Sequence, residues 1–461
     1  MPMGWWWWFV DKGKKVIIFF IFAFKLSPNS QIRVVDFNQL YDKNPCKTLG
    51  SATIKIIMET PTVGMTEVPG RGRAMVALRP IKGGEIVLRD SPILLYSALP
   101  FHSDNHLNNN PYCSNCFTTI SQPPQTVTCS TCASQFCTLA CQSAASTTSH
   151  TPWVCQTLIR LRDYFSSNRV PLDVQIQTRF VVSAYNLAIV SQSKFQTLLS
   201  LQGSVDSVNS VASQSDVVSE SDASFINSVI CSVCPPLPVQ FGFSIELTKV
   251  LLAKDKLNAF GLMEPFSEQN ADRSVRAYGI YPVASFFNHD CLPNACRFDY
   301  LDADKSSSLN NNTEMVIRMI HDVPQGREVC LSYFPVNWKY SERQKRLRED
   351  YGFVCDCDRC KVEAGWSESD GDELAMDDDE GNDEGNEEGT MDEDVDERME
   401  GEDGDVMKGD DDFPHAYFFL NYMCDRTNCW GTLAPLPPSV GTTSGVMECN
   451  VCGGFKKLDQ V

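Results

Sequence analysis

Between residues 66 and 97 apolar and polar positions alternate, the period of a half-buried strand. Gly70-Arg71-Gly72-Arg73 makes a tight turn, Ala74 to Leu78 is apolar, and Lys82-Gly83-Gly84 turns again into Glu85-Ile86-Val87-Leu88. This pattern predicts a hairpin. From 156 to 201 the period becomes helical, with Leu158, Leu161 and Phe165, then Phe180, Tyr185 and Leu187, as its apolar positions. Residues 202–224 are rich in Ser, Val and Asp without a period, which predicts a mobile loop. A helix is expected from Ile245 to Leu257, then short strands and turns up to Tyr333. Ser341-Glu342-Arg343-Gln344 has the form of a capping box and opens a charged helix ending near Gly352. The basic stretch from Arg343 to Arg348 reads as a solvated face of that helix. There is no internal repeat.

Charge changes this picture at one place. The net charge of −20 is concentrated between Glu363 and Asp412, where 25 acidic and 2 basic residues give −23. The remaining 34 acidic and 37 basic residues give +3, so the folded surface is near neutral. The acidic stretch cannot bury apolar surface and is expected to be disordered. A chain of 461 residues otherwise has room for two or three domains with cores of their own. At the N-terminus, Trp5 to Trp8 and Lys12, Lys14 and Lys15 precede an apolar run from Val16 to Phe24. That run is far short of the roughly 20 residues a spanning helix needs. A targeting segment also has this form. The reading adopted is an extension outside the fold, with Met58 and Met65 as alternative starts, and no membrane association.

Twenty cysteines are many for this length, and their spacing decides their chemistry. Cys113-x2-Cys116, Cys129-x2-Cys132, Cys137-x3-Cys141 and His150-x4-Cys155 are close pairs of zinc-ligand type, eight ligands for two ions. A disulfide framework has no need of such pairs. Cys355-x-Cys357-x2-Cys360 offers three thiolates and leaves one position open. Cys424-x4-Cys429 and Cys449-x2-Cys452 look like a small zinc ribbon, with unliganded thiols as the alternative. Cys231-x2-Cys234 stands alone before two prolines and reads as structural; Cys46, Cys296 and Cys330 read as small buried apolar residues.

Three segments then fall in a telling order: Asn288-His289-Asp290-Cys291-Leu292-Pro293-Asn294, Gly326-Arg327-Glu328-Val329-Cys330-Leu331-Ser332-Tyr333, and Tyr351-Gly352-Phe353 followed by the cysteine triplet. Together they resemble the SET domain of protein lysine methyltransferases. The upstream cysteine block resembles a MYND zinc module, and the pair resembles the SET–MYND family, nearest to its plant branch. A RING module would place its histidine mid-series and close on a CxxC pair, which this block does not. The resemblance implies an α+β protein: a β-rich SET fold with an inserted MYND module and helical insert, and a small zinc-binding C-terminal tail. The expected division is an N-terminal extension (1–57), a first SET part (66–112), MYND (113–155) and a helical linker and insert (156–257). The SET catalytic core (258–340), post-SET (341–362), acidic linker (363–412) and ribbon-like tail (413–461) follow.

The resemblance also implies roles residue by residue. The MYND ligands interleave: Cys113, Cys116, Cys137 and Cys141 on one zinc, Cys129, Cys132, His150 and Cys155 on the other. The last spacing is one residue longer than the family's usual pattern, which puts His150 in question. Cys291 completes the third site with Cys355, Cys357 and Cys360. S-adenosylmethionine is the implied cofactor. Arg71, Gly72 and Arg73 would lie against its amino-acid end, as would Asn258. Asn288 and His289 would hold its adenine and head, with Tyr333 and Phe353 beside it. Tyr333 and Tyr351 would wall the lysine channel as catalytic residues. Animal members continue into a long helical domain that this chain replaces with the acidic stretch and cysteine tail.

The chemistry suits those residue types. A lysine of pKa near 10.4 is an ammonium at neutral pH and cannot attack a methyl group. An apolar aromatic channel beside a sulfonium disfavours the charged form, and orienting the amine contributes further. The expected partner is a lysine-bearing protein, histones first, with proline-rich peptides able to bind MYND. The chain is expected to be a monomer in the nucleus or cytoplasm. The rival reading is a non-catalytic adaptor, for which intact Asn288, His289 and Tyr333 have no use. Sequence-specific DNA binding fits poorly, since the cysteine spacing is not of the C2H2 type and no strongly basic recognition helix follows.

Overall fold

The computed structural model describes residues 61–101, 111–120, 126–203, 220–237, 242–268, 273–302, 312–365, 416–438 and 443–457. The expectations for the N-terminal extension, and for the acidic stretch beyond residue 365, lie outside the described residues. The chain divides into Met1–Thr62 and Val63–Val461, and the elements below belong to the second unit.

In chain order, β1 (Val63–Val68), β2 (Gly72–Ala77), β3 (Ile86–Asp90) and β4 (Leu94–Ser97) come first. The cysteine block follows with β5 (Val127–Thr128), β6 (Gln135–Phe136) and α1 (Leu139–Ser146). Then come the insert helices α2 (Pro152–Asn168), α3 (Leu172–Val190), α4 (Gln192–Ser200), α5 (Glu220–Val233) and α6 (Ile245–Asn258). β7 (Ala259–Met263), β8 (Val275–Ile280), β9 (Ala295–Asp299) and β10 (Met315–Met319) complete the strands of the central part. α7 (Tyr340–Tyr351) and α8 (Asp358–Glu363) close it. The tail holds α9 (Ala416–Tyr422), β11 (Leu433–Pro435), β12 (Val446–Cys449) and β13 (Phe455–Lys457).

The strands form small antiparallel sheets: β1-β2, β3-β10-β9, β4-β8-β7, β5-β6 and β11-β12-β13. The β1-β2 turn uses Gly70 and Gly72 at φ 77° and 71°, a region other residues rarely adopt. The hairpin is therefore β1 with β2. β3, which the alternation joined to it, crosses to β10 instead, with Asp90 opposite Met315. Local period reveals a strand but not its partner.

Two further expectations need correction. The apolar series Ala223, Ile226, Val229 and Ile230 is buried in α5, so helix begins at 220 within the predicted loop. α7 starts at Tyr340, one residue before Ser341, and Glu342 accepts a hydrogen bond from the Lys339 backbone N–H at 3.2 Å. It ends as expected at Gly352, φ 74°.

The insert helices share a core with β4 and β8 built on Leu161, Phe165, Phe180, Tyr185, Ile226 and Leu251. A second core lies between the strands, around Met75, Leu262, Phe287, Ile317, Val329 and Leu331. Here the chain doubles back. Val329 donates to Met75 O at 2.8 Å on one side, while Asp290 donates to Leu331 O at 2.9 Å on the other. Asn294 fastens the crossing: its Nδ2 donates to Glu328 O and its Oδ1 accepts from Cys330 N, both at 2.8 Å. Fully buried Arg276 on β8 ties in the cysteine block through Phe117 O at 2.7 Å and ion pairs to Glu264 and Asp302.

The tail docks on the β3-β10-β9 sheet. Ala434 joins Cys296, Phe298, Val316 and Ile320 in one apolar cluster. Arg318 pairs with Glu448 at 2.8 Å, and Asn450 Nδ2 donates to Arg297 O at 3.0 Å. The Leu436 carbonyl comes so near Gly84 that a side chain there would collide with it.

Candidate active site and metal centres

Among the described residues, all cysteines are free thiols. Sixteen ligand candidates gather into four groups, within each of which the ligand atoms lie within 4.8 Å of one another. They are Cys113, Cys116, Cys137 and Cys141; Cys129, Cys132, His150 and Cys155; Cys291, Cys355, Cys357 and Cys360; and Cys424, Cys429, Cys449 and Cys452. His150 thus lies with its expected partners despite the long spacing, its Nε2 3.4 Å from Cys132 Sγ. Near sulfur pairs include Cys291–Cys360 at 3.5 Å, Cys113–Cys141 and Cys429–Cys449 at 3.6 Å, and Cys291–Cys355 at 3.9 Å. A tetrahedron with Zn–S bonds of about 2.3 Å has edges of about 3.8 Å. The spacings therefore suit four-coordinate zinc and are far too long for disulfides. Cys231 is exposed and belongs to none of the four groups; Cys296 and Cys330 are buried, as small apolar residues would be.

The third group sits beside the aromatic site. Cys291 Sγ receives Arg343 Nε at 3.3 Å and lies 3.2 Å from His289 Nε2. Arg343 is fully buried and paired with Glu363, which also pairs with Arg359. This corrects the reading of Arg343 as part of a solvated face. Gln344, on the next position of α7, bonds the Cys355 backbone in both directions.

The expected channel residues come together. Tyr333 lies 4.8 Å from Tyr351 and 5.2 Å from His289, ring to ring, and His289 is 6.5 Å from Phe353. The Tyr333 hydroxyl donates to Phe287 O at 3.1 Å. Burial pushes both phenol pKa values up, so neither tyrosine serves as a base near neutral pH. Burial also drives the His289 imidazole down to about 3, and the cations Arg343, Arg71 and Arg359 add to this against the charge of Cys357. His289 is neutral.

Around the glycine turn, Arg71 donates to His289 O at 2.6 Å and pairs with Glu328 at 3.3 Å. Asn288 Nδ2 donates to Glu328 Oε1 at 2.8 Å. Gly72, at its positive φ, leaves the turn without side-chain bulk. Arg73 donates to Ser200 O at 3.1 Å and lies over the Phe286 ring at 4.8 Å. Asn258 Nδ2 is engaged by Gln202 O and Lys254 O, both at 2.8 Å, and buried Lys254 donates to Leu201 O at 2.6 Å. Three successive carbonyls, of Ser200, Leu201 and Gln202, are thus gripped from β2 and α6. Cations, amides and ring faces in one corner suit a ligand with an amino-acid head and a flat base.

Glu328, Asn294, Arg343 and Lys254 are the residues sequence reasoning left without a role. The first two stood inside the quoted segments; nothing in the pattern marked Lys254.

The fold and this site define a SET-domain protein, and the SET domain model matches residues 72–334. The chain belongs to the SET–MYND family of protein lysine methyltransferases. It is 53% identical to the histone-lysine N-methyltransferase ASHR2 of Arabidopsis thaliana over 396 residues, 85% of this chain and 95% of that one. It is 30% identical to the histone-lysine N-methyltransferase SMYD3 of Homo sapiens over 128 residues, 26% of each chain. It is 32% identical to a SET and MYND domain-containing protein of Dictyostelium discoideum over 99 residues, 18% of this chain and 19% of that one.

Proposed function

We propose that this chain methylates the ε-amine of lysine in a protein substrate, with histones the first candidates. The observation that carries the reading is Tyr333, packed at a tilt between Tyr351 and His289 with its hydroxyl donating to Phe287 O. S-adenosylmethionine, when bound, supplies an electrophilic methyl group on a sulfonium.

The chain's own residues then do four things. Arg71, Gly72, Arg73, Asn288, the Asn258 carbonyl oxygen and the ring of Phe353 make the corner that binds the cofactor. Tyr351 and Tyr333 line a narrow aromatic passage for the lysine stem. That passage favours the free amine, which at pH 7.4 costs about 4 kcal/mol for a lysine of ordinary pKa. The Tyr333 oxygen, its hydrogen engaged by Phe287 O, keeps lone pairs that would hold a polarised methyl by C–H···O contact.

The four ligand groups are assigned as zinc sites, and the domain boundaries of the sequence reading are retained. The cysteine block from 113 to 155 is the surface proposed for proline-rich peptides. The nucleus or cytoplasm is the proposed location, and no helix among the described residues is long and apolar enough to cross a membrane. A monomer is the proposed state.

Radiolabelled methyl donor with core histones and with cell extract, read by gel and peptide mass spectrometry, tests the activity. Label on lysine that disappears in Tyr333→Phe supports it. Cofactor binding without any lysine label would favour the adaptor reading.

A further inference from the structure

The His289 imidazole has both nitrogens engaged inside the protein. The Tyr333 backbone N–H donates to Nδ1 at 3.1 Å, so Nδ1 carries the lone pair. With Nδ1 accepting, the ring hydrogen sits on Nε2, which lies 3.2 Å from Cys291 Sγ. His289 is 2% exposed, so water does not compete for either position. We propose that the His289 side chain is a positioning residue that couples the thiolate of the Cys291 group to Tyr333, and that it does not itself bind the cofactor. The proposal rests on the reading of Tyr333 as the channel tyrosine and of the Cys291 group as a metal site.

The backbone explains why Tyr333 needs such a support. The parallel pairing of the two crossing segments ends at Leu331, whose N–H donates to Asn288 O and whose carbonyl accepts from Asp290 N. Ser332 turns its hydroxyl to Phe334 O. The Tyr333 amide therefore lies beyond the ladder and is held by a side chain. The ring that holds it also packs on Tyr333 at 5.2 Å and on Phe334 at 4.7 Å.

At the other end, Cys291 Sγ accepts from two donors, His289 Nε2 and Arg343 Nε. Two N–H groups aimed at one sulfur fit a thiolate better than a thiol, which has a hydrogen of its own to place. Partners that orient ligand atoms commonly alter metal affinity by 10- to 100-fold. Here the partner reaches onward to the residue at the channel.

Two variants separate the arms. In His289→Asn the short side chain places its oxygen near the Nδ1 position and loses the donor to sulfur. In His289→Gln the longer amide reaches the Nε2 position and loses the acceptor for Tyr333. Both are made in the full chain, and folding is checked by circular dichroism.

For His289→Asn, chelator competition should show roughly tenfold weaker retention of one metal ion. The Tyr333 amide should stay protected from hydrogen exchange. For His289→Gln, metal retention should match wild type while the Tyr333 amide exchanges at least tenfold faster and kcat falls at least tenfold. Cofactor dissociation constants, by calorimetry, should stay within about threefold in both.

Cofactor affinity lost tenfold or more in both variants, with metal retention and Tyr333 exchange unchanged, would make the imidazole a cofactor ligand and overturn the proposal. Equal Tyr333 exchange in wild type and His289→Gln would overturn it as well. The exchange, metal-retention and cofactor-binding readouts do not require turnover, so they stand even if the wild-type chain proves to be an adaptor.

Discussion

Glu448→Gln asks whether the C-terminal cysteine module is an integral wall of the SET sheet. Arg318 lies on β10 with its side chain 3% exposed, and Glu448 on β12 is 11% exposed, 2.8 Å away. The Arg318 guanidinium also lies 3.7 Å from the centre of the Phe298 ring, and Tyr300 donates to Glu448 at 3.3 Å. Gln preserves shape and hydrogen bonding but leaves the arginine charge buried without a counter-ion. Breaking a buried pair in this way costs about 3–5 kcal/mol. The lower figure applies, since the ring face and the amide oxygen remain. About 3 kcal/mol is roughly a hundredfold in the docking equilibrium. A protein of this many parts need not unfold in one step, so the readout should be local. Limited proteolysis around residue 430 and chelator-driven loss of the tail metal should both accelerate by about that factor. Arg318→Met combined with Glu448→Gln removes the stranded charge and should recover most of the loss. A single variant within 0.5 kcal/mol of wild type, or a double variant no better than the single, would refute the buried pair as the fastening.

The other predictions are briefer. Tyr333→Phe should lower kcat by at least about tenfold, equivalent to about 1.4 kcal/mol, with the cofactor dissociation constant little changed; equal loss of both would move the tyrosine to the cofactor. Asp255 is held by Tyr96, and burial raises its carboxyl to about 7 from an ordinary 3.8. A raised pKa favours the protonated fold, so this contribution is present below pH 4 and lost as pH rises through 7. Asp255→Asn should therefore be more stable than wild type at pH 8, by up to about 4 kcal/mol, and not at pH 4, as urea titrations at the two pH values will show. Elemental analysis of the full chain should find four zinc ions; one or none would sink the metal assignments. Deleting 366–411 removes most of the −23 segment and should change the KM for a basic substrate more than kcat. The difference should shrink as salt shortens the Debye length toward about 8 Å and below; an unchanged KM at low salt would leave the segment a tether.

What the sequence revealed follows how locally each feature is encoded. Close cysteine pairs advertise themselves, and even His150, with its long spacing, lies with the partners its resemblance implied. Helical spacing placed α2, whose buried Val154, Leu161 and Phe165 share one face, and the long apolar α3, buried on most sides, was legible through Phe180, Tyr185 and Leu187. The partner of β3 was illegible, because pairing with β10 spans more than 200 residues and leaves no mark in local alternation. α5 was masked by the Ser- and Asp-rich run ahead of it, although its buried positions recur at helical spacing. Asn258 and His289 stood in recognisable segments, yet their hydrogen-bond partners, Gln202 O and the Tyr333 amide, appear only in three dimensions.

Arg343 shows the same limit with larger consequences. Within a run of arginines and lysines it reads as surface charge, but it is the side chain on which the third metal group closes. Four thiolates around a divalent zinc carry a net −2. Arg343 and Arg359 bring +2 and Glu363 −1, all three buried. The assembled corner thus holds about one negative charge, spread over many hydrogen bonds, including Arg359 to Val336 O at 2.6 Å and Arg343 to Trp338 O at 2.5 Å. Without metal, the same four thiolates would leave about three negative charges in a low-dielectric setting, which the two arginines alone do not balance. The arginines and the ion therefore need each other. Since α7 carries both Arg343 and Tyr351, and Phe353 follows it directly, that charge balance and the placement of the two aromatic rings are linked through one helix.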